Sequence, residues 1–247
     1  MLMQIDLVAM PASLVVGIYG KSKNEMPSRA RFLQSKVAGA YAALMTSGKP
    51  VKVSDMCRSP ESSLAAVKAG RGAQRPGYSG HNYGFSIDVD VTQWLKSHSK
   101  GRHKEELDEF MNEHGWYCHR KDHLRAMEDW HYNYFGDDPD RYLAACARKQ
   151  RTASGLEQLI QDHYGDAMTL TKIDVQTALE SLHLYAGAID GLIGPISKEA
   201  ILAFQRAWML TTDGDWKGPQ FQRTLSFVAG FADLQERVAA GEIPIFS

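Results

Sequence analysis

Residues 85–91 of this 247-residue chain, FSIDVDV, alternate without a break. Phe85, Ile87, Val89 and Val91 fall on one side, and Ser86, Asp88 and Asp90 on the other. That is the period-2 pattern of a half-buried strand. The preceding residues 71–84, RGAQRPGYSGHNYG, are too rich in glycine and turn formers to pack as a regular element, so they read as a loop. Helical spacing over 28–46 puts Phe32, Val37, Ala40, Tyr41 and Leu44 near one face. Val51, Val53 and Asp55 suit a short strand leading into Arg58. Ser59 to Gly70 reads as a second helix, with Pro60 in its first turn and Gly70 as its stop. An amphipathic helix follows over 103–114, then aromatic-rich strands at WYCHR and WHYNYF. This order predicts an α+β domain built on an antiparallel sheet.

Residues 149–156, KQRTASGL, are small and polar and read as a linker. The pattern beyond is helical throughout. Val175, Ala178, Leu179 and Leu182 share a face; so do Ala200, Ile201, Phe204, Ala207 and Trp208, and then Phe221, Leu225 and Val228. Asp190-Gly191 with Gly194, and Asp213-Gly214 with Gly218, punctuate the helices as a weak internal echo. Such a unit is small for an independent core. A last amphipathic stretch carries Phe231, Leu234 and Val238.

Charge supports two units. Residues 1–150 hold 21 Lys and Arg against 17 Asp and Glu, and residues 151–247 hold 7 against 12. The net charge of −1 argues against a chain-wide nucleic-acid footprint. With 44% apolar and 10% aromatic residues, disorder is excluded as the main state. No run of 18 uncharged apolar residues exists, so no membrane span is expected. Asp6 stands where a signal peptide needs a basic start, which predicts a chain not exported by the usual route. Cys57, Cys118 and Cys146 are odd in number and not closely spaced, as in a reducing compartment.

His81 sits in the glycine-rich loop, Asp88 on the polar face of the next strand, and His131 at the start of HYNYF. Two imidazoles and a carboxylate are a common ligand set for a catalytic zinc that keeps a position open for water. Glu128, three residues before His131, could serve as the base such a water needs. Asp90 competes with Asp88 as the carboxylate ligand. His114, Cys118, His119 and His123 are an alternative metal cluster. An Arg after a strand, as Arg58 is, can simply pair with a carboxylate. Arg71 and Arg75 compete with it for any role beside a substrate carbonyl. Trp130 and Tyr132 could line a groove or merely pack.

Three blocks occur in order: Arg58-Ser59; Pro76-Gly77-x-Ser79-x-His81-x-x-Gly84-x-x-x-Asp88; and Glu128-Asp129-Trp130-His131. Together they resemble the zinc D-alanyl-D-alanine carboxypeptidase and L-alanyl-D-glutamate endopeptidase family over roughly residues 28–145. The resemblance implies the hedgehog/DD-peptidase-like α+β fold. It also implies one Zn2+ held by His81, Asp88 and His131, with Glu128 as general base. Arg58 would stabilise the oxyanion or hold a substrate carbonyl, Ser79 would contact substrate or support the loop, and Trp130 would contact substrate. The family often has Pro where Asp129 stands, so the environment of Glu128 departs from the pattern there.

Residues 173–225 resemble the three-helix peptidoglycan-binding domain that accompanies many cell-wall hydrolases. The resemblance rests on Val175-Gln176, on Tyr185-x-Gly187-x-Ile189-Asp190-Gly191-x-x-Gly194-Pro195, and on Ala200-Ile201-x-x-Phe204-Gln205. The second turn, Asp213 to Gly218, is one residue longer than the first. The implied plan is a zinc peptidase catalytic domain over 1–148, a linker or connecting helix over 149–166, a peptidoglycan-binding domain over 167–230, and a C-terminal helical tail over 231–247. The implied activity is zinc-dependent cleavage of a stem-peptide amide in bacterial peptidoglycan by a phage endolysin waiting in the host cytoplasm. L-Ala–D-Glu is the favoured bond. A D-Ala-D-Ala carboxypeptidase is the alternative within the class, and a non-catalytic wall-binding protein the alternative outside it. A monomer with no nucleic-acid or membrane partner is expected.

Overall fold

The structure is a computed structural model describing residues 3–15, 29–30, 32–70, 73–118, 128–136, 138–149 and 153–243. The chain forms two compact units that are not contiguous halves. One is drawn chiefly from Asp6–Ser59 and Tyr78–Asp162. The other joins Met1–Ile5 and Pro60–Gly77 to His163–Glu242.

The first unit is mixed α/β with small antiparallel sheets. Strand β1 (Leu7–Ala9) pairs with β3 (Phe32–Gln34), and β2 (Arg29–Ala30) with β5 (Cys57–Arg58). Four further strands, β4 (Val53–Asp55), β6 (Ser86–Val89), β7 (Trp116–Cys118) and β8 (His131–Tyr134), form a sheet in the order β4-β6-β8-β7. The register places Asp55 opposite Asp88 and Asp88 opposite His131. Three polar side chains thus form one row across three strands. Ser86 lies opposite Asn133, one rung along on the same face.

The other face of this sheet is core. Ile87, Tyr132 and Trp116 are fully buried there, and Trp116 meets the ring of Tyr41 edge-on. Tyr41 lies on helix α1 (Ser35–Thr46). Tyr132 is therefore packing rather than groove lining. It donates a hydrogen bond of 2.7 Å to Asp108, which also pairs with Lys104, both on helix α4 (Lys104–Glu113).

Two local expectations change. The helix expected over 28–46 begins only at Ser35, because Arg29–Ala30 and Phe32–Gln34 are recruited as strands by distant partners. Sheet pairing overrides local spacing there. The strand expected over 85–91 ends at Val89. Asp90 caps helix α3 (Val91–His98) by accepting from the Gln93 amide at 3.0 Å, so Val91 starts a helix. Helix α2 (Pro60–Lys68) forms as its proline start predicts.

Past helix α5 (Pro139–Lys149), helix α6 (Ala153–Tyr164) occupies most of the segment 149–166 read as a linker or connecting helix. The second unit is built on helices α7 (Lys172–Ser181), α8 (Pro195–Ala207) and α9 (Pro219–Ala239). Thr171 and Asp174 close a capping box at α7. Pro195 and Pro219 occupy the first turns of α8 and α9. Val175, Leu179, Ile201, Phe204 and Leu225 are fully buried between the three helices, as their spacing predicts. The boundary expected at 230/231 falls inside α9. That helix continues without a break because Phe227, Phe231 and Leu234 extend its buried face.

The internal echo is a real structural repeat. Gln176 donates to Asp190 Oδ1 at 2.9 Å and accepts from the Gly191 amide at 2.8 Å, while Asp190 accepts from the Leu192 amide at 2.9 Å. Gln205 donates to Asp213 at 2.8 Å and accepts from Gly214 at 2.9 Å, while Asp213 accepts from the Asp215 amide at 2.9 Å. A buried helical glutamine thus clamps each Asp-Gly turn. Gly191 and Gly214 both have φ of +73°, a conformation that favours glycine. Among the described residues, no helix is long and apolar enough to cross a membrane.

Candidate metal centre

The loop preceding β6 delivers His81. Ser79 accepts from the His81 amide at 3.3 Å, and Asn82 accepts from the Ser79 amide at 3.2 Å, closing a 3-10 turn over Gly80–Asn82. Asn82 also donates to the Arg58 carbonyl at 2.9 Å, tying the turn to β5. Gly84 has φ of +71°, and a Cβ there would lie 2.4 Å from the Gln34 amide nitrogen. The motif glycine is thus required twice, by backbone conformation and by its close approach to β3. Ser79 supports the loop directly, which is one of the two roles the sequence left open.

Three donor atoms converge. His81 Nε2 lies 3.1 Å from Asp88 Oδ1 and 3.1 Å from His131 Nδ1, and His131 Nδ1 lies 2.8 Å from Asp88 Oδ1. His81 is 1% exposed and His131 8%. The far nitrogen of each ring has an acceptor: His81 Nδ1 donates to the Met56 carbonyl at 2.7 Å, and His131 Nε2 to Asn133 Oδ1 at 3.1 Å. With those protons so placed, two imidazole lone pairs and a carboxylate oxygen face one another. Only a positive charge satisfies such a set, either a proton or a metal cation. Ligand atoms of a tetrahedral zinc site sit about 3.3 Å apart, given metal bonds of about 2.0 Å. The observed spacings are close to that, and the donor set fits the ion.

The electrostatics agree. Burial alone would depress the His81 imidazole, but the Asp88 and Asp55 carboxylates outweigh it and hold His81 above its ordinary value. Burial opposes the charge on Asp88, yet His81 and His131 hold its carboxyl well below the usual range. Both directions describe a pocket that stabilises positive charge beside a fixed carboxylate.

His81, Asp88 and His131 are the one such group among the described residues. The competing Asp90 is spent on the α3 cap and on a 3.4 Å pair with Lys52. In the alternative cluster, His114 donates to the Phe110 carbonyl at 2.8 Å and packs against the Phe110 ring, and Cys118 lies on the sheet near Lys104. His119 and His123 lie outside the described residues, as does Arg71. Arg75 donates to the Met209 carbonyl at 3.2 Å. Cys57, buried near the group, has its thiol pushed up by burial and by Asp55, which disfavours a thiolate ligand.

Arg58 reaches the group but is engaged. Its guanidinium pairs with Asp55 and stands 3.9 Å from Asp88 Oδ2. Asp55, 2% exposed, is the partner that sequence reasoning did not assign. Only sheet register brings it into the row of Asp88 and His131, so no local sequence signal marked it. Glu128 is exposed, and its carbonyl accepts from the His131 amide at 3.2 Å. Trp130 is 40% exposed and accepts from the Val89 amide at 2.9 Å through its backbone. The structure brings His81, Asp88, His131 and Arg58 together and sets Glu128 and Trp130 on the turn that leads into β8. Asn133 and Ser86, which support His131, were also missed.

Comparison with known proteins bears mainly on the second unit. Residues 173–217 match the family model for a peptidoglycan binding domain, which supports peptidoglycan as the material this unit engages. No curated protein matches the chain by sequence. Among solved structures, the chain is similar to one described as an LdcB LD-carboxypeptidase, whose structure reveals the molecular basis of peptidoglycan recognition. The identity is 16%, the match covers 62% of this chain and 77% of that one, and the TM-score is 0.42, too loose a likeness to rest an argument on.

Proposed function

We propose that the chain is a zinc-dependent peptidoglycan hydrolase that cleaves a stem-peptide amide, with L-Ala–D-Glu as the favoured bond. One observation carries the reading: His81 Nε2, His131 Nδ1 and Asp88 Oδ1 face one another as three acceptors, with both far ring nitrogens already engaged. A zinc ion there would supply Lewis-acid polarisation of the scissile carbonyl and lower the pKa of water to about 7. Glu128 is the proposed general base, taking a proton from the attacking water and passing it to the leaving amine. Arg58, fixed by Asp55, presents positive charge beside the ligand group, where it would favour charge growing on the carbonyl oxygen. Ser79 holds the ligand loop, and Trp130 offers an exposed aromatic surface to substrate. The peptidoglycan-binding unit would raise the local concentration of the same polymer.

The test is a digest of purified peptidoglycan, with and without chelator, read by mass spectrometry for new termini. A chelator-sensitive new amino terminus on D-glutamate supports the proposal. Release of D-alanine instead moves the cut to the end of the stem peptide. No new termini, with the protein still pelleting with the wall, overturns the hydrolase reading.

A further inference from the structure

The imidazole of His131 faces His81 and Asp88 through Nδ1, which keeps a lone pair for a metal ion when the ring proton sits on Nε2. Nε2 lies 3.1 Å from Asn133 Oδ1. The same Oδ1 accepts from Ser86 Oγ at 2.6 Å. Ser86 and Asn133 are register partners on β6 and β8, one rung from the Asp88–His131 pair. Both are essentially unexposed, at 0% and 1%. Were the amide reversed, its NH2 group would donate to Nε2, force the imidazole proton onto Nδ1, and abolish the lone pair that faces Asp88 and His81. The orientation of one buried amide therefore decides whether His131 can be a ligand.

We infer that Asn133, steadied by Ser86, is a positioning residue that holds His131 in the Nε2–H tautomer and so makes Nδ1 available to a metal ion. This rests on the proposed metal centre and adds to it the residues that set one ligand. A neutral amide, where a carboxylate could stand, leaves the imidazole less basic than a carboxylate partner would.

The probe is Zn2+ alone, titrated into metal-free full-length protein against a competing fluorescent chelator. Asn133→Leu removes the acceptor and should weaken zinc binding about 10–100-fold. Asn133→Asp keeps the shape, can only accept from Nε2, and should bind zinc at least as tightly as the native chain. Nitrogen-15 spectra of the zinc-loaded native protein should show the His131 proton on Nε2. Equal affinity in native protein and Asn133→Leu would overturn the inference. So would a tenfold loss in Asn133→Asp, or a proton found on Nδ1. If Asn133→Leu does not fold, Asn133→Asp and the spectra carry the test. A native chain that binds no zinc would instead overturn the metal centre itself, so the two failures are told apart.

Discussion

Substituting Gly80 by alanine tests how tightly the ligand loop is seated on the sheet. A Cβ at residue 80 would lie 1.8 Å from Ser86 Oγ, 3.1 Å from Ser86 Cβ and 3.0 Å from a Leu156 methyl. Ser86 is fully buried, and its hydroxyl is bonded to Asn133 at 2.6 Å. To admit the methyl, Ser86 must turn away or the loop must lift. Overpacking of this kind costs about 1–3 kcal/mol, and the lost hydrogen bond adds about 1 kcal/mol. Gly80→Ala should therefore destabilise the protein by about 2–4 kcal/mol in urea unfolding. Because His81 is the next residue, zinc affinity should fall as well. Ser86→Gly removes the two Ser86 atoms in conflict and leaves only the Leu156 methyl at 3.0 Å. In a double-mutant cycle, Gly80→Ala should cost at least 1 kcal/mol less on the Ser86→Gly background than alone. A Gly80→Ala protein within about 0.5 kcal/mol of native, or a cycle with no coupling, would refute the steric reasoning.

Further outcomes follow from the same geometry. Glu128→Ala should abolish peptidoglycan cleavage while sparing zinc and wall binding, whereas His81→Ala should lose zinc and cleavage together; assays of turnover, metal content and wall pelleting separate the two. Gln176→Leu removes a side chain bonded to Asp190, Gly191 and Tyr185, and at about 1 kcal/mol per bond it should destabilise the helical unit by about 2–4 kcal/mol, with Gln205→Leu acting in the same direction at the second turn. Asp190 is held below the usual carboxylate range by Gln176 and the Leu192 amide, and Asp213 by the Asp215 amide and Gln205. Their contribution to stability is therefore complete above the unfolded-state value of about 3.9 and is lost as pH falls through the folded values. Urea unfolding of the helical unit should weaken below about pH 4, and Asp190→Asn with Asp213→Asn should flatten that slope; an unchanged slope would show that these turns are not its source.

Much of the His81, Asp88 and His131 group was legible because its signals are local. His81 and Asp88 are seven positions apart, and the alternation after Phe85 fixes which face Asp88 takes. The supporting residues were not legible in the same way. Asn133 is 47 positions from Ser86, and only sheet register makes them neighbours. Asp55 joins the row of Asp88 and His131 for the same reason. Local pattern also misplaced Val91, since alternation continues through Asp90 while that side chain is already capping a helix. In the helical unit the core spacing was plain, and Gln176 and Gln205 stood within the motif, but nothing local gave them a role. Their importance arises only when the following Asp-Gly turn folds back onto them. The discontinuity of the second unit has no sequence signature, because nothing in Met1–Ile5 or Pro60–Gly77 names its distant partners.

The most direct measurement pairs metal content with cleavage on one preparation. Protein stripped by chelator should release no new termini from purified peptidoglycan. It should recover full cleavage when about one zinc per chain is restored, and His81→Ala should not recover at any zinc level. Cleavage that survives complete metal removal, or that returns equally in His81→Ala, would contradict a catalytic metal held by His81, Asp88 and His131.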